Sequence, residues 1–482
     1  VLFGFAFSQF HNETKEWKNT RNYSTEHERP PPPPPKSNKA SSTTTDATDA
    51  DDPPYHMVFS TGCSPFQDWQ SMMFFYHASK VKQRGSVTRI ASGCNDEEKI
   101  TEMKRQFKEQ IQVLSPNFHI HFTPNWGFTS ETNKYWNKPF GLLDWFEKEL
   151  GYPDTSASQK HDDSIIMILD PDMMLLRPLT HKFHDFPQEY WLESKKPLEG
   201  RELRMQVEHG WPISQAYGFG DAWLRSFEKN KTYVLADYPD SPVYDVTTKQ
   251  AQQYYPSGPP YLATSRDMYK IVKQWVEFVQ RIGVVFPQMM AEMYAYSTAS
   301  AHLKLPHQVT EKFMVSDVGM VKNEGWDFLK DVPKEESCKP KNPPLNEMPY
   351  VLHYCQRYAL GRWFVGKYKL PTDFFSCPAP LIKEPPHDVG AKYDWFIYPN
   401  NKEHEEYFGP TQVHDSDHKI KANAFAMCTM IHGLNEVAAH YKKHHCSSEI
   451  DALINFNPSF HFQEKDETFV EFLEKGGLGK II

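Results

Sequence analysis

The spacing of apolar residues changes abruptly near residue 55, and from there two periods alternate along the chain. Short apolar runs predict strands, at residues 56–62, 87–93, 118–124 and 164–169. Stretches with apolar residues on one helical face predict helices between them, at residues 67–84, 97–113 and 138–150. Alternating units of this length are typical of a parallel-rich sheet with right-handed crossovers. We therefore expect an α/β fold whose first half is a Rossmann-type nucleotide-binding unit.

The pattern becomes less regular in the second half of the chain, and the predicted elements are further apart. We predict a short strand at 189–194, and then a Gly-Pro loop, a short strand and a long helix within 257–283. Thr264 and Asp267 have the spacing of a capping box at the start of that helix. The remaining predicted elements are a helix at 289–301, a final core strand at 351–358 and one long helix at 422–444.

Composition divides the chain into three parts. Residues 1–54 are polar from residue 8 onward and contain six consecutive prolines and a Ser/Thr/Asp-rich tract, which predicts a disordered stem. Residues 55–380 hold the strand and helix pattern and form the predicted catalytic domain, and residues 381–482 form a C-terminal extension with the long helix. The apolar start, VLFGFAF, is too short to span a bilayer. We interpret it as the lumenal end of a membrane anchor, with a frayed apolar terminus as the alternative.

Two carboxylates, Asp170 and Asp172, directly follow five consecutive apolar residues. In open α/β sheets ligands bind at the carboxyl ends of the strands, so this Asp-Pro-Asp turn is placed where a cation and its phosphate ligand would bind. Two other Asp-x-Asp pairs, at 49–51 and 415–417, lie in polar stretches with no strand to hold them. The alternative for the Asp-Pro-Asp turn is that its carboxylates only cap the backbone.

Charge and cysteine content narrow the class of protein. The net charge of −9 argues against a nucleic-acid-binding surface. The seven cysteines lack the spacing of a zinc module, and disulfides in an oxidising lumen are plausible, with at least one thiol left unpaired because the number is odd. No phosphate-binding loop of the GxGxxG or GxxxxGK(S/T) type occurs in the sequence. We therefore expect a metal ion to neutralise the phosphates of a bound nucleotide.

The chemistry that suits this turn is sugar transfer from a nucleotide sugar. Such a reaction releases a diphosphate, and Mn²⁺ or Mg²⁺ held by carboxylates can neutralise its developing charge. We predict that Asp172 is a direct metal ligand and that Asp170 contacts the ribose or a metal-bound water. Two carboxylates alone would hold the ion loosely, so a third protein ligand is expected from another part of the chain.

Six stretches of the chain together carry a resemblance to a known family. In order, they are HMVFSTGCSPFQDWQS, NKPFGLLDW, ILDPDMMLLRP, GPPYL, AEMYAYSTA and LHYCQRYALGRWFVGKYKL. The chain resembles the plant and algal hydroxyproline O-arabinosyltransferases and peptidyl-serine α-galactosyltransferases, and HYCQRY with GKYKL makes the serine branch look closer. The resemblance implies a GT-A-like glycosyltransferase fold, a UDP-sugar donor and a Ser/hydroxyproline-rich secreted acceptor. It also implies a single-pass type II membrane protein in the Golgi or ER lumen.

The resemblance also implies roles for individual residues. His353 is similar to the histidine that GT-A enzymes supply as a further metal ligand, and imidazole suits Mn²⁺ better than Mg²⁺. The alternative for His353 is a core histidine bonded to the backbone. Lys138, Arg357 and Lys367 are expected to pair with the diphosphate, or to be solvated surface cations. Three further residues, near the ends of the first two strands, are placed to meet the nucleoside: Thr61, Gly62 and Arg89.

Glu292 is the predicted catalytic carboxylate on the acceptor side, with a helix-surface glutamate as the alternative. It would act as a base if the reaction inverts, or orient the acceptor if it retains. The serine-galactosylating relatives imply retention and the arabinosylating ones inversion.

Two other classes of protein remain open. One is a haloacid-dehalogenase-like phosphatase, against which Met174 counts at the fifth position of the DxDx(T/V) pattern. The other is a non-catalytic binding module on a glycosyltransferase scaffold.

Overall fold

The computed structural model describes most of the chain from residue 52 onward. The described residues are 52–94, 96–127, 136–154, 156, 159–195, 201–320, 323–370, 373–397 and 412–446. The predicted stem, apart from its last residues 52–54, and the predicted anchor segment lie outside this part of the chain. Within it, no helix combines the length and the apolar character needed to cross a bilayer.

The strands are numbered in chain order over the described residues. They are β1 Tyr55–Gly62, β2 Ser86–Ser92, β3 Phe118–Thr123, β4 Ile165–Leu169, β5 Met173–Leu175, β6 Ile213–Ala216, β7 Ser257–Thr264, β8 Gln308–Thr310, β9 Met314–Val315, β10 Val351–His353, β11 Arg357–Leu360, β12 Trp363–Gly366, β13 Trp395–Phe396 and β14 Gln412–Val413. A seven-stranded sheet in the order β3-β2-β1-β4-β7-β6-β8 forms the centre of the fold. Smaller sheets are formed by β5-β10-β9, β11-β12 and β13-β14.

The central sheet is parallel on one side and mixed on the other. Strands β3, β2, β1 and β4 run parallel, whereas β7 pairs antiparallel with both β4 and β6. The first four strands therefore follow the predicted order of strands and helices, and the sheet is less uniformly parallel than the pattern predicted. A mixed sheet with flanking helices confirms the predicted α/β class.

Seven helices of more than one turn are numbered along the described chain. They are α1 Pro65–Lys80, α2 Glu97–Gln110, α3 Asn137–Glu149, α4 Thr248–Tyr254, α5 Ser265–Val285, α6 Ala291–His302 and α7 Asp417–His445. Single helical turns lie at Leu192–Lys195, Ala222–Arg225, Lys231–Val234 and Val389–Lys392. Helix α7 begins earlier than predicted because the side chain of Ser416 caps it, accepting a hydrogen bond from the amide of Lys419 at 3.3 Å.

Alternate residues of the central strands pack into two separate cores. On β1, Val58 belongs to the core covered by α3, α5 and α6, whereas Met57 and Phe59 belong to the core covered by α1 and α2. On β4, Ile166 and Ile168 face the first core. This is the two-residue period of a strand with both faces covered. Burial on both faces explains why the strand that leads to the Asp-Pro-Asp turn is a continuous apolar run.

The C-terminal segment packs into the same body as the sheet. Helix α7 shares a third core with residues that follow the Asp-Pro-Asp turn and with the β10–β12 region, including Met174 and Leu352. Two disulfides tie the interior and the C-terminal end of α7 to preceding segments, and a third joins the segments after β1 and β2; the pairs are Cys338–Cys428, Cys377–Cys446 and Cys63–Cys94. Cys355 is the free thiol, as the odd number required.

The predictions of two strands, at residues 189–194 and 351–358, are wrong in part. Residues 189–194 form a 3₁₀ turn and a helical turn, and only Trp191 makes an isolated bridge, because Pro187 starts a turn there. Residues 351–358 form two strands with a turn between them. The first ends at His353, because its antiparallel partner β5 begins at Met173 and offers no residue beyond that pair.

The predicted capping box at α5 is also wrong. Thr264 is the N-cap residue, but its side chain makes no capping bond and pairs instead with His209 at 2.8 Å. The carboxylate of Asp267 accepts a hydrogen bond from the amide of Gly210 at 2.7 Å. Both side chains therefore bond to residues 209 and 210 instead of capping the helix.

His77, buried between α1 and α7, should make the stability of the protein depend on pH. Burial lowers the pKa of His77 from 6.5 to about 4. The unfolded chain then binds a proton that the folded state excludes, so stability present above pH 6.5 is lost as the pH falls towards 4. The loss is up to about 1.4 kcal/mol per pH unit. Denaturant unfolding at pH 7 and pH 5 should show a loss smaller by about 1–2 kcal/mol in His77→Gln than in the wild type. Equal losses would contradict this prediction.

Candidate active site

Strand β4 delivers two carboxylates to the edge of the sheet where β1, β2 and β4 all end. Asp170 follows its last residue directly, and Pro171 separates Asp170 from Asp172. The amide of Met173 donates to the carbonyl of Asp170 at 3.1 Å and closes the turn. The carbonyl of Asp172 accepts from the amide of Tyr354 at 3.0 Å, so the turn is held to the β10 region as well. Both carboxylates are thus fixed on rigid backbone.

His353 completes a group of three side chains that could hold a metal ion. The antiparallel pairing of β10 with β5 places His353 opposite Met173, the residue after the turn. Ligand atoms of Asp170, Asp172 and His353 all lie within 4.8 Å of one another. The Nε2 atom of His353 lies 3.3 Å from Oδ1 of Asp172, and its Nδ1 atom is buried without a hydrogen-bond partner. Asp170 and His353 are 183 positions apart in the sequence, and the structure brings both together with Asp172.

These three side chains fit a divalent cation. Two carboxylate oxygens and one imidazole nitrogen form a ligand set that suits Mn²⁺, and the free Nδ1 of His353 shows that the ring is not held by other bonds on that side. A bound Mn²⁺ or Mg²⁺ would neutralise a diphosphate there. The remaining positions would be filled by water and phosphate oxygens.

The charges of Asp172 and His353 stabilise each other in the buried site. Burial alone would raise the pKa of Asp172, but His353 and Lys367 together hold it well below its usual range. Burial opposes protonation of His353, whereas Cys355 and Asp172 raise its pKa well above 6.5. The pair is therefore an ion pair in this structure, and a metal ion would take the place of the proton on His353.

Each aspartate of the turn also has its own lysine. Lys138, in the first turn of α3, lies with Nζ 2.7 Å from Oδ1 of Asp170. Lys367, directly after β12, contacts Oδ2 of Asp172. Burial lowers the pKa of both lysines, but the carboxylates outweigh it and raise them above 10.5. These two ammonium groups are placed where they could also pair with phosphate oxygens.

Glu292 lies in the same charge cluster. It is in the first turn of α6, only 5% exposed, and its Oε2 lies 3.2 Å from Nζ of Lys138. One ammonium group therefore joins Asp170 to Glu292. Burial raises the pKa of Glu292 to about 7, with Asp170 adding to the effect and Lys138 opposing it. Its second oxygen, Oε1, is buried without a partner. The helix-surface alternative is therefore excluded by the burial of this side chain.

The three residues expected at the nucleoside lie together, but only Thr61 and Gly62 are at a strand end; Arg89 is in the middle of β2, and its long side chain reaches the end of β1. Arg89 donates from Nε to Oγ1 of Thr61 at 2.8 Å and from Nη2 to the carbonyl of Gly62 at 3.2 Å. Nη2 of Arg89 also lies 2.7 Å from Oδ1 of Asp68, which is partly exposed. Arg89 and Asp68 line a cleft of about 280 Å³ between α1, α2 and the segment 373–376. Its lining includes neither of the turn aspartates, so the cleft and the charge cluster are separate features.

Arg357 lies outside the charge cluster. It is exposed at the start of β11 and pairs in register with Gly366, the residue before Lys367. The sequence interpretation assigned no role to Asp68 or to two buried tyrosines near the cluster, Tyr217 and Tyr261. Tyr261 belongs to the GPPYL stretch, and a tyrosine on a fully buried strand was the signal that could have identified it.

Comparisons with known proteins agree with the resemblance seen in the sequence. The protein named peptidyl serine alpha-galactosyltransferase from Arabidopsis thaliana is 24% identical over 349 residues, which cover 70% of this chain and 35% of that protein. Its namesake from Chlamydomonas reinhardtii is 27% identical over 123 residues, which cover 26% of this chain and 14% of that protein. The chain thus spans about a third or less of the length of these relatives. Both relatives carry the name of the serine branch that the sequence resembles.

Comparisons with family models and solved structures add less. A search of protein-family models gave no match. The galactosyltransferase LgtC, in complex with donor and acceptor sugar analogues, matches with a TM-score of 0.32 and 11% identity, over 62% of this chain and 87% of that one. An active-site mutant of LgtC gives a TM-score of 0.33 with the same identity and coverage. Overlap at this level carries no argument about the chemistry of the site.

Asp172→Asn should abolish tight binding of Mn²⁺. The change keeps the shape of the side chain but removes the charge, and loss of a ligand should weaken the affinity by about 100-fold or more. Titration calorimetry with Mn²⁺ measures this effect. The matched control is Asp415→Asn, in a surface Asp-x-Asp pair whose Asp415 contacts only Lys419, at 2.7 Å, among the ion pairs of the described residues. Unchanged Mn²⁺ affinity in Asp172→Asn, or an equal loss in Asp415→Asn, would contradict the assignment.

Proposed function

We propose that this chain is a metal-dependent glycosyltransferase domain that transfers galactose from a UDP-sugar to serine hydroxyls of a secreted protein. The observation that carries the proposal is the cluster of Asp170, Asp172 and His353 at the carboxyl edge of the sheet, flanked by two lysines. The relatives named peptidyl serine alpha-galactosyltransferase support the galactosyl and seryl parts. We therefore favour serine over hydroxyproline, and galactose over arabinose, as the first pair to test.

The charge balance of the cluster supports a diphosphate ligand. The described site holds three carboxylates, on Asp170, Asp172 and Glu292, against two lysines and a protonated His353. Binding of a doubly charged cation would leave the ammonium groups of Lys138 and Lys367 without full partners. Phosphate oxygens of the donor could then pair with them. Arg357 could meet the same diphosphate from the exposed start of β11.

The nucleoside is proposed to bind beside Thr61, Gly62 and Arg89. Thr61 and Gly62 are the last residues of β1, at the same edge of the sheet as the Asp-Pro-Asp turn, and the side chain of Arg89 reaches them from the middle of β2. The guanidinium of Arg89 is already held by Thr61 and Asp68, so its position is fixed before a ligand arrives. Asp68, which is partly exposed, is the member of this group that can reach a ligand hydroxyl.

Glu292 is proposed to act next to the reacting centre. Its carboxylate is buried, close to Asp170 through Lys138, and its pKa of about 7 lets it exchange a proton near neutral pH. We infer retention, in which Glu292 orients the acceptor, because the relatives that match are named as serine galactosyltransferases.

The three disulfides of the described chain suit an oxidising compartment, so we place the protein in the lumen of the Golgi or ER. A membrane anchor remains a prediction about residues outside the described part.

The proposed function is tested with a panel of UDP-sugars against serine- and hydroxyproline-containing peptides. We expect transfer of galactose to serine with Mn²⁺ and less than about 1% of that rate with a chelator, because the charge on the leaving diphosphate would lack its cation. Mass spectrometry of the peptide identifies the sugar and the residue. Transfer of arabinose to hydroxyproline would instead indicate a hydroxyproline O-arabinosyltransferase. Peptide binding without transfer would indicate a scaffold, and phosphate release from simple phosphomonoesters a phosphatase.

Glu292→Gln should lower kcat by about 100- to 1,000-fold with a small change in the donor KM, since it removes a carboxylate next to the reacting centre but not the metal ligands. The control is Glu228→Gln, which changes an exposed glutamate far from the cluster. Initial rates at saturating donor and acceptor separate the two constants. A kcat within about twofold of the wild type would show that Glu292 has no part in the reaction.

A further inference from the structure

Two buried polar atoms near the charge cluster have no hydrogen-bond partner, and they belong to facing elements. One is Oε1 of Glu292 on α6, and the other is the hydroxyl of Tyr261 on β7, a residue that is 0% exposed. A buried hydroxyl or carboxylate oxygen without a partner costs free energy, so most proteins satisfy such groups. Two of them on elements packed against each other indicate a place for a group that can both donate and accept.

The packing of aromatic rings fixes the position of Tyr261 relative to Glu292. Glu292 and Tyr296 are four residues apart on α6 and therefore lie on the same helical face. The ring of Tyr296 stacks on that of Tyr261 with a centroid distance of 3.8 Å. Trp275 packs edge-on against both rings and donates from Nε1 to the backbone carbonyl of Glu292 at 2.8 Å. The first turn of α6 is thus locked over the same part of the sheet as Tyr261.

The hydroxyl of Tyr261 has no partner among the described residues, whereas that of Tyr296 is paired with His307. Burial raises the pKa of Tyr261 well above 10, and the charge of Glu292 is the next largest cause, followed by Tyr296, Tyr217 and Asp170. The hydroxyl of Tyr296 lies 2.9 Å from Nε2 of His307 and is therefore already satisfied. On β7, Tyr261 is in register with Ile168, two residues before Asp170.

We propose that Tyr261 and Glu292 form a binding site for one substrate hydroxyl. Tyr261 donates a hydrogen bond to the oxygen of that hydroxyl, and Oε1 of Glu292 accepts a hydrogen bond from it. A hydroxyl is the simplest group that can satisfy both atoms, because it is a donor and an acceptor at once. This inference rests on the proposed function and adds a residue that selects the substrate. The hydroxyl belongs either to the transferred sugar or to the acceptor serine, and the same chemistry serves both.

The test is Tyr261→Phe, which removes one oxygen and keeps the ring that stacks on Tyr296. We expect kcat/KM to fall by about 10- to 100-fold, because the substrate hydroxyl loses the donor to its oxygen in a buried site. The melting temperature should stay within about 2 °C of the wild type, because no protein hydrogen bond is lost. The matched control is Tyr296→Phe, which removes a hydroxyl from the same stack and should leave kcat/KM unchanged.

Two arms distinguish the source of the hydroxyl. If it belongs to the sugar, one deoxygalactose donor should lose about tenfold in kcat/KM with the wild type but lose nothing further with Tyr261→Phe. If it belongs to the acceptor, an alanine-for-serine peptide should inhibit the wild type and the variant equally, while the KM of the serine peptide rises only in the variant. Either result supports the proposal. Kinetic constants equal to those of the wild type for all donors and peptides would overturn it.

Failure of the proposed function gives a different result. If the wild type transfers no sugar, calorimetry with UDP-galactose, UDP and the serine peptide still decides the inference. A gain in affinity from the galactosyl group, or from the serine hydroxyl, that disappears in Tyr261→Phe would support a hydroxyl site in a protein that is not a transferase. Identical affinities in wild type and variant for every ligand would overturn the site.

Discussion

The ion pairs that neutralise two aspartates at the end of a buried strand are the interaction on which this structure depends. A carboxylate in a buried position is costly unless it is paired and hydrogen-bonded. Asp170 has Lys138 as its partner, and Asp172 has Lys367 and His353. Removing Lys138 would leave Asp170 without a cation, and removing both partners of Asp172 would leave a buried negative charge, so the elements that carry these cations are held in place.

This requirement joins distant parts of the chain at one edge of the sheet. Lys138 comes from α3, which packs on one face of the sheet, and Lys367 comes from the region after β12, 195 residues beyond its partner Asp172. Helix α7, with its two disulfides, packs against that region through the core that includes Met174. The C-terminal segment therefore supports the site without contributing one of its charged residues. The same pairing places Glu292 beside Lys138 in the charge cluster.

The parts of the structure that follow from local periodicity could be predicted from the sequence. Strands β1 to β4 and helices α1 to α3 are set by runs of apolar residues, and the turn at Asp170 follows from the strand before it. The parts that depend on tertiary partners could not. Thr264 bonds to His209 instead of capping its helix, and β10 ends where its partner strand begins. His353 was identified through a resemblance. Tyr261 was missed because nothing in its neighbours along the sequence shows that Glu292 faces it.

The most direct measurement is a crystal structure with MnCl₂ and UDP, using anomalous scattering to locate manganese. We predict one peak bonded to Asp172 and His353, with a diphosphate oxygen on the metal and with Lys138 and Lys367 turned towards the phosphates. An anomalous peak elsewhere would contradict the account. So would a bound diphosphate that leaves both lysines on the carboxylates and no metal between them, because the cluster would then be a structural ion-pair network.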